Sequence, residues 1–328
     1  MNIFVTGGAG YIGSATTAAL LDAGHAITVF DNLSRGHRAA VPMGVTFIQG
    51  DIGDGEALRA ALASSRFDAL MHFAAFIEAG ESMQDPGLYF RNNVAYSANV
   101  IESAVAAGVA QFVLSSTAAV YAGSDDPLSE ESPLGPVNVY GETKLMIETM
   151  LRWYHETKGL RYAALRYFNA SGALPDRGEA HRPESHLIPR VLQVALGQRA
   201  DIHIFGSDYP TPDGTCIRDY IHIADLARAH VLALEALGNH ETLVYNLGTG
   251  TGYSNREVIQ TAREVTGHPI PSTDAPRRPG DAPRLVAAPD KIERELGWTR
   301  RHSDLVSIVR SAWEWHRTHP NGYSYPNR

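Results

Sequence analysis

TGGAGYIG, residues 6–13, is the stretch whose reading decides the fold. It places Gly7, Gly10 and Gly13 directly after the apolar run NIFVT (2–6) and before IGSATTAALLDAG (12–24), which has helical spacing and ends in Gly24. Glycines between a strand and a helix permit a tight turn, let a pyrophosphate approach the backbone, and allow close helix–sheet packing. The helix N-terminus adds N–H groups and a dipole that favours phosphate. Glycine-rich turns are common, so the pattern needs context. Here a second strand-like run, AITVFD (26–31), ends in Asp31, 18 residues after Gly13. A carboxylate there is placed to hydrogen-bond an adenosine ribose. It also repels a 2′-phosphate and so favours NAD over NADP, although Arg35 and Arg38 follow closely and offer charges to such a phosphate. Asp51, after the third strand, is placed either to reach the adenine or to sit solvated at a strand end.

Outward from this loop, VTFIQGD (45–51), DALMHFA (68–74), AQFVLSS (110–116) and YAALRYF (162–168) continue the strand series, with helical stretches between them. Continuous apolar strands alternating with helices predict an α/β fold with a doubly wound parallel sheet of the Rossmann type, covered on both faces. After about residue 170 the texture changes. SGALPDRGEAHRPESH (171–186) and PIPSTDAPRRPGDAP (269–283) are rich in Pro and Gly, which suits surface or binding loops. Helical spacing returns at 223–237, 254–266, 289–296 and 302–318. The expected organisation is a dinucleotide-binding domain over 1–170, rejoined by elements of 220–248, and a smaller mixed α/β substrate-binding lobe over 171–328.

The chain has 328 residues and a formal net charge of −8, which leaves no basic excess for a nucleic-acid partner. Its longest apolar run, ALMHFAAFI, is too short to span a bilayer and is broken by His72. MNIFVTGGAG carries no basic segment of a secretory signal. The single cysteine, Cys216, cannot form an intrachain disulfide and reads as a buried structural thiol. No membrane partner and a cytoplasmic setting are therefore expected.

A second stretch carries chemistry. VNVYGETK (137–144) sets Tyr140 and Lys144 four residues apart, on one face of a helix. On spacing alone such a pair is usually a solvated helix face. A nearby ammonium, however, favours the phenolate, and a phenol so tuned is a general base for an alcohol. SST (115–117), at the end of the strand QFVL, adds a hydroxyl where parallel sheets meet their ligands.

The glycine loop, the SST strand end and the YxxxK pair, in that order, resemble the extended short-chain dehydrogenase/reductase family. Within it the chain is similar to the UDP-galactose 4-epimerases. The blocks TGGAGYIGS, VFDNLSRG, HFAA, SSTAAVYA, YGETK, LRYFNASGA, HLIP, IFGSDYPTPDGTCIRDYIH, YNLGTG and RRPGD run in family order over nearly the whole chain. The resemblance implies NAD-dependent 4-epimerisation of a UDP-hexose through a transient 4-ketose, with NAD tightly bound and regenerated in each cycle. It makes Tyr140 the base, Lys144 its partner, and Thr117 the hydrogen-bonding partner of the sugar 4-hydroxyl. It places Gly7, Gly10, Tyr11, Ile12, Gly13, Asp31, Asn32, Asp51, Ile52, Phe73, Ala74, Ala75, Asn92, Ser115, Tyr140, Lys144 and Phe168 at NAD positions. Asn169, His186, Leu187, Phe205, Arg218, Arg278 and Asp281 fall at UDP-sugar positions. A guanidinium fork suits a diphosphate, as Arg218 and Arg278 would require, and Asp281 could accept from a ribose or pair with an arginine.

Three departures bear on specificity. Ile77 and Glu78 stand where many relatives carry a lysine, and Ala122 replaces a glycine. Leu285 matches a position that gates the sugar pocket, where a tyrosine restricts the enzyme to unsubstituted hexoses and smaller residues admit N-acetylated ones. UDP-N-acetylglucosamine and UDP-pentoses therefore stay open as substrates. A 4,6-dehydratase needs an acidic pair after the threonine, and Thr117 is followed by Ala118 and Ala119. A non-catalytic NAD sensor would be free to lose Tyr140 or Lys144. Fourteen histidines show no HExxH or CxxC spacing, so no metal is expected. Helices around 88–107 and 140–158 are the expected faces of a homodimer.

Overall fold

The computed structural model describes residues 1–323; residues 324–328, the end of the expected C-terminal lobe, lie outside the described residues. In chain order the strands are β1 (Asn2–Thr6), β2 (Ala26–Asp31), β3 (Thr46–Gln49), β4 (Ala69–His72), β5 (Gln111–Thr117), β6 (Arg161–Tyr167), β7 (Asn169–Ser171), β8 (Ile202–Phe205), β9 (Ile217–His222), β10 (Thr242–Leu247), β11 (Gly252–Ser254), β12 (Ser272–Ala275) and β13 (Arg284–Leu285). Seven of them form one parallel sheet in the order β10-β6-β5-β4-β1-β2-β3.

Each strand of this sheet is apolar on both sides because both sides are covered. Ile3 and Val5 pack into one core with Val29, Met71, Val113 and Leu165, while Phe4 packs into the other with Phe30, Leu70, Phe112 and Leu114. The helices Tyr11–Asp22 and Ile223–Ala236 cover the first face; Gly55–Ala63, Tyr96–Ala106 and Val139–Lys158 cover the second. The expected α/β doubly wound sheet is the observed architecture. β10 reaches the sheet from the second half of the chain and pairs with β6, Thr242 opposite Tyr162 through Leu247 opposite Tyr167.

The strand order reverses at β1, where one crossover series runs to β2 and β3 and the other to β4, β5 and β6. Beyond the carboxyl ends of strands at such a switch point the loops part and leave a crevice. Gly7 follows β1 there, and Phe73–Ala75 follow β4. The residues 86–106 form a continuous helical rod, but its middle, Phe90–Ala95, is a π-helical turn. The extra residue of a π-turn re-aims side chains. Here Asn93 is turned inward, bonding both the N–H and the carbonyl of Phe76 at 2.9 Å and reaching the Thr143 hydroxyl at 3.1 Å.

Past β6 the chain builds smaller units. β9 pairs with β7 and β13 in parallel and with β11 in antiparallel fashion, and β8 pairs with β12. A separate core joins Ile188, Val191, Leu192, Ile202, Ile204, Val258, Ile259, Ile308 and Val309. Register places Leu285 of β13 beside Arg218 of β9. Among the described residues no helix is long and apolar enough to cross a membrane.

Candidate active site

A cavity of about 350 Å³ opens at the switch point. One end is the glycine loop. Gly7 has φ +72°, and a Cβ on it would lie 2.5 Å from the Ala74 nitrogen. A Cβ on Gly13 would overlap the Gly7 carbonyl oxygen. The helix Tyr11–Asp22 starts at Gly10 with no side-chain cap, so its first turn keeps its N–H groups toward the cavity. Asp31 is buried, and its carboxylate accepts from the Ala9 nitrogen at 2.9 Å and the Leu33 nitrogen at 2.8 Å. Burial raises its pKa against those hydrogen bonds. Each of these oxygens keeps an acceptor direction beyond the backbone bond. An uncapped helix turn, a loop with no room for side chains and a buried acceptor 18 residues on from Gly13 fit a dinucleotide.

The middle of the cavity is lined by Ser115, Thr117, Tyr140 and Phe168. The helix Val139–Lys158 begins here because Asn138 caps it, its side-chain oxygen accepting from the Gly141 nitrogen at 2.8 Å. Position 141 must be glycine: a Cβ would run into the Ala119 carbonyl. That close approach brings Tyr140 against the end of β5. The Thr117 hydroxyl accepts from the Ala119 nitrogen at 3.1 Å and, on the same cavity wall as the Tyr140 phenol, acts to lower that phenol's pKa.

The pair's electrostatics correct the sequence reading. Tyr140 is pushed up to about 12, because burial outweighs the Thr117 hydrogen bond, and Glu78 adds to the rise. Lys144 does not offset this. Its ammonium is buried, donates to the Ser115 carbonyl at 2.8 Å, and is itself lowered to about 8 by burial, with Glu148 opposing. Spacing placed the two residues on one helix; burial decided their charges.

The far end brings in Asn169, His186, Arg218, Asp281 and Leu285, all on the cavity wall. Arg218 Nη2 lies 3.5 Å from Asp281 Oδ1, so the carboxylate faces a guanidinium. Of the NAD-position residues, Gly7, Gly10, Tyr11, Ile12, Gly13, Asp31, Asn32, Ile52, Phe73, Ala74, Ala75 and Asn92 also line the cavity. Asp51 stands one layer back, accepting from the Asn32 amide at 2.7 Å. Leu187 borders a smaller adjoining cavity shared with Asn169 and His186. Phe205 lies under Arg278, whose guanidinium sits 4.6 Å from the ring centre. Arg35 lines the cavity, while Arg38 is exposed and stacks on Phe47.

Sequence reasoning missed Tyr167 on the wall and noted Glu78 only as a departure from a lysine. Tyr167 shares a short hydrogen bond with Ser115, and Glu78 accepts from the Ser185 hydroxyl across the cavity rim. Their only signal was adjacency to recognised blocks. Cys216 is free and buried, as expected, with burial raising its thiol.

The chain matches the NAD dependent epimerase/dehydratase family over residues 3–248. It belongs to that family. A UDP-glucose 4-epimerase of Halalkalibacterium halodurans is 49% identical, the match covering 100% of this chain and 99% of the relative. A UDP-glucose 4-epimerase from Brucella ovis, solved in complex with NAD, superposes with a TM-score of 0.91 at 46% identity, covering 95% and 97% of the two chains. The Bifidobacterium longum UDP-glucose 4-epimerase, solved with NAD+ and UDP, gives 0.94 at 36% identity, covering 98% and 100%. Family membership therefore extends to the architecture of the whole described chain, beyond the segment 3–248 that defines the family.

Proposed function

We propose that this chain is a UDP-glucose 4-epimerase that interconverts UDP-glucose and UDP-galactose with tightly bound NAD. The observation that carries the reading is that the Tyr140 phenol and Thr117 share one cavity wall with the glycine loop and Asp31. The relatives' names support it, and both solved relatives described above carry NAD.

NAD, when bound, supplies a hydride acceptor and donor at the sugar C4. Asp31 would hold the adenosine ribose, with Asn32, Ile52 and the loop Phe73–Ala75 enclosing the adenosine and Gly7–Gly13 the pyrophosphate. Tyr140 takes the proton of the sugar 4-hydroxyl, and Thr117 fixes that hydroxyl against it. Burial keeps the phenol protonated, so a cationic ring entering beside it would supply the missing stabilisation of the phenolate. Lys144, tied to the strand end, is placed for a ribose rather than for the phenol. Arg218 and Arg278 would grip the diphosphate while Asn169, His186, Leu187, Phe205 and Asp281 surround the remainder. A 4-ketose held only through its UDP part can turn over, so that C4 would take its hydride back on the opposite face while Tyr140 returns the proton to O4, and C4 is inverted. Ala118 and Ala119 on the wall offer no acid or base for dehydration.

On this reading residues 1–170 with the returning segment bind NAD, and the later units bind the UDP-sugar. The enzyme works in the cytoplasm as a homodimer. Phe90, Met146 and Trp153, exposed on the helical rod 86–106 and the helix Val139–Lys158, support a dimer face. Light scattering that gives the mass of one chain would remove the dimer.

The deciding experiment incubates purified protein with UDP-galactose, without added NAD, and chromatographs the products. UDP-glucose should form, and Tyr140→Phe should abolish it. Parallel arms with UDP-N-acetylgalactosamine and UDP-arabinose test the wider substrate range that Leu285 leaves open. No conversion in any arm, with cofactor shown to be bound, would sink the proposal.

A further inference from the structure

We propose that Glu179, His181, Glu184 and His186 form a binding site for one divalent transition-metal ion of the zinc class, which would pin the loop that walls the cavity. No HExxH or CxxC spacing announces it; the four ligands come from the segment EAHRPESH. Folding gathers one ligand atom from each within 4.8 Å of the others. Two imidazoles and two carboxylates make the four-ligand nitrogen and oxygen set that zinc accepts in tetrahedral sites.

The local hydrogen bonding is oversubscribed in a way that a cation would resolve. Glu179 Oε1 lies 3.1 Å from His181 Nδ1 and 2.9 Å from His186 Nδ1. Glu184 Oε1 lies 2.9 Å from that same His186 nitrogen. One imidazole nitrogen carries at most one hydrogen, yet two carboxylates converge on it. Both glutamate side chains are 5% exposed, so this is a pair of buried charges in need of balance. Three neighbouring arginines are turned elsewhere, Arg35 to the Arg182 carbonyl, Arg177 to Asp176 and the Ser14 carbonyl, Arg182 to the Asn321 carbonyl, while Arg190 lies within electrostatic reach of Glu184.

The surroundings are built as an outer shell. Glu184 Oε1 also accepts from the backbone N–H groups of Ser185 and His186 at 2.8 Å, which fixes the carboxylate. The Ala180 carbonyl meets His37 Nε2 at 2.9 Å, joining the loop to the segment after β2. The Tyr323 hydroxyl accepts from the Gly178 nitrogen at 3.1 Å, joining it to the segment that follows the helix Leu305–Thr318. Glu179, His181 and His186 form part of the cavity wall, so an ion there would hold three distant segments around the ligand. The inference does not depend on which sugar nucleotide the cavity takes.

The test uses the untagged full-length protein, stripped by dialysis against a chelator and then equilibrated with zinc. Elemental analysis should find one zinc per chain, and cobalt(II) in its place should give the intense visible bands of four-coordinate nitrogen and oxygen ligation. Calcium and magnesium, which prefer all-oxygen ligand sets, should not displace it. His181→Ala and Glu184→Gln should each weaken zinc binding by at least ~10-fold. Retention of no zinc by the wild type, or equal zinc in the wild type and in both variants, would overturn the site. If a variant fails to fold, the wild-type cobalt spectrum decides alone: a pale octahedral spectrum rejects the proposal.

Discussion

Lys144 Nζ donates to the Ser115 carbonyl at 2.8 Å, so the ammonium of the helix Val139–Lys158 is fastened to the carboxyl end of β5. This contact sets the angle at which the helix delivers Tyr140 to the cavity. Burial there lowers the lysine's pKa, and the Glu148 charge opposes that shift.

The first consequence is a pH dependence of stability. Lys144 is lowered from 10.5 to about 8 in the folded chain. Between those values the unfolded chain holds the proton that the native chain has released, so unfolding free energy rises with pH there. Wild-type stability should therefore gain on that of Lys144→Met between roughly pH 8 and pH 10, and show no such gain below about pH 7. Urea denaturation of both proteins across this range reads the difference; parallel pH curves would refute it.

Removing the phenol should cost catalysis and nothing else. Tyr140→Phe keeps the ring and loses the hydroxyl that shares the cavity wall with Thr117. Turnover of UDP-galactose should fall by ~10²–10⁴-fold, the usual range for a lost general base. The variant should keep its Tm and its bound cofactor, measured by absorbance after denaturation.

A different residue tests the fold. Glu148 and Arg166 form a bridge at 2.6 Å, 8% and 6% exposed, and Ser116 donates to the same carboxylate. Arg166 further donates to the Tyr121 hydroxyl at 2.8 Å, which donates to Asn246 at 3.0 Å, so one network ties β5, β6 and β10 to the helix. Glu148→Ala strands a buried guanidinium and should cost ~3–5 kcal/mol by chemical denaturation. A loss under ~1 kcal/mol would mean that water enters and takes over the pairing.

The glycine loop gives a prediction with an internal control. Gly13→Ala drives a methyl into the Gly7 carbonyl, so it should strip the dinucleotide and destabilise by ~1–3 kcal/mol. Gly24→Ala meets nothing within 4 Å but forces alanine to φ +84°. That substitution should cost ~1–2 kcal/mol of backbone strain while leaving cofactor content unchanged.

Leu285 tests specificity. It lines the cavity beside Arg218, at the end where the sugar would lie. Leu285→Tyr should lower activity on UDP-N-acetylgalactosamine relative to UDP-galactose by at least ~10-fold, since the acetamide needs the volume the ring would fill. Equal loss on both substrates would place the gate elsewhere.

What the sequence by itself determined was everything carried by short-range pattern. NIFVT, TGGAGYIG and AITVFD fixed a strand, a turn that only glycines allow and a carboxylate at a strand end, because each depends on neighbours within a few tens of residues. YGETK fixed a phenol and an ammonium on one helix face. The tertiary structure decided what those groups face and what charge they hold. Tyr140 meets Thr117 because Gly141 lets the helix press on Ala119. Lys144 turned out to serve the strand end, since burial penalises its charge and the Ser115 carbonyl is the partner within reach. The π-turn at Phe90–Ala95 left no trace in apolar spacing. Likewise EAHRPESH showed only two histidines in a loop; the convergence of its four side chains is a property of how that loop folds against the cavity. Periodicity records which residues share a face. Burial and pairing between distant segments set their chemistry, and those are settled only when the chain closes on itself.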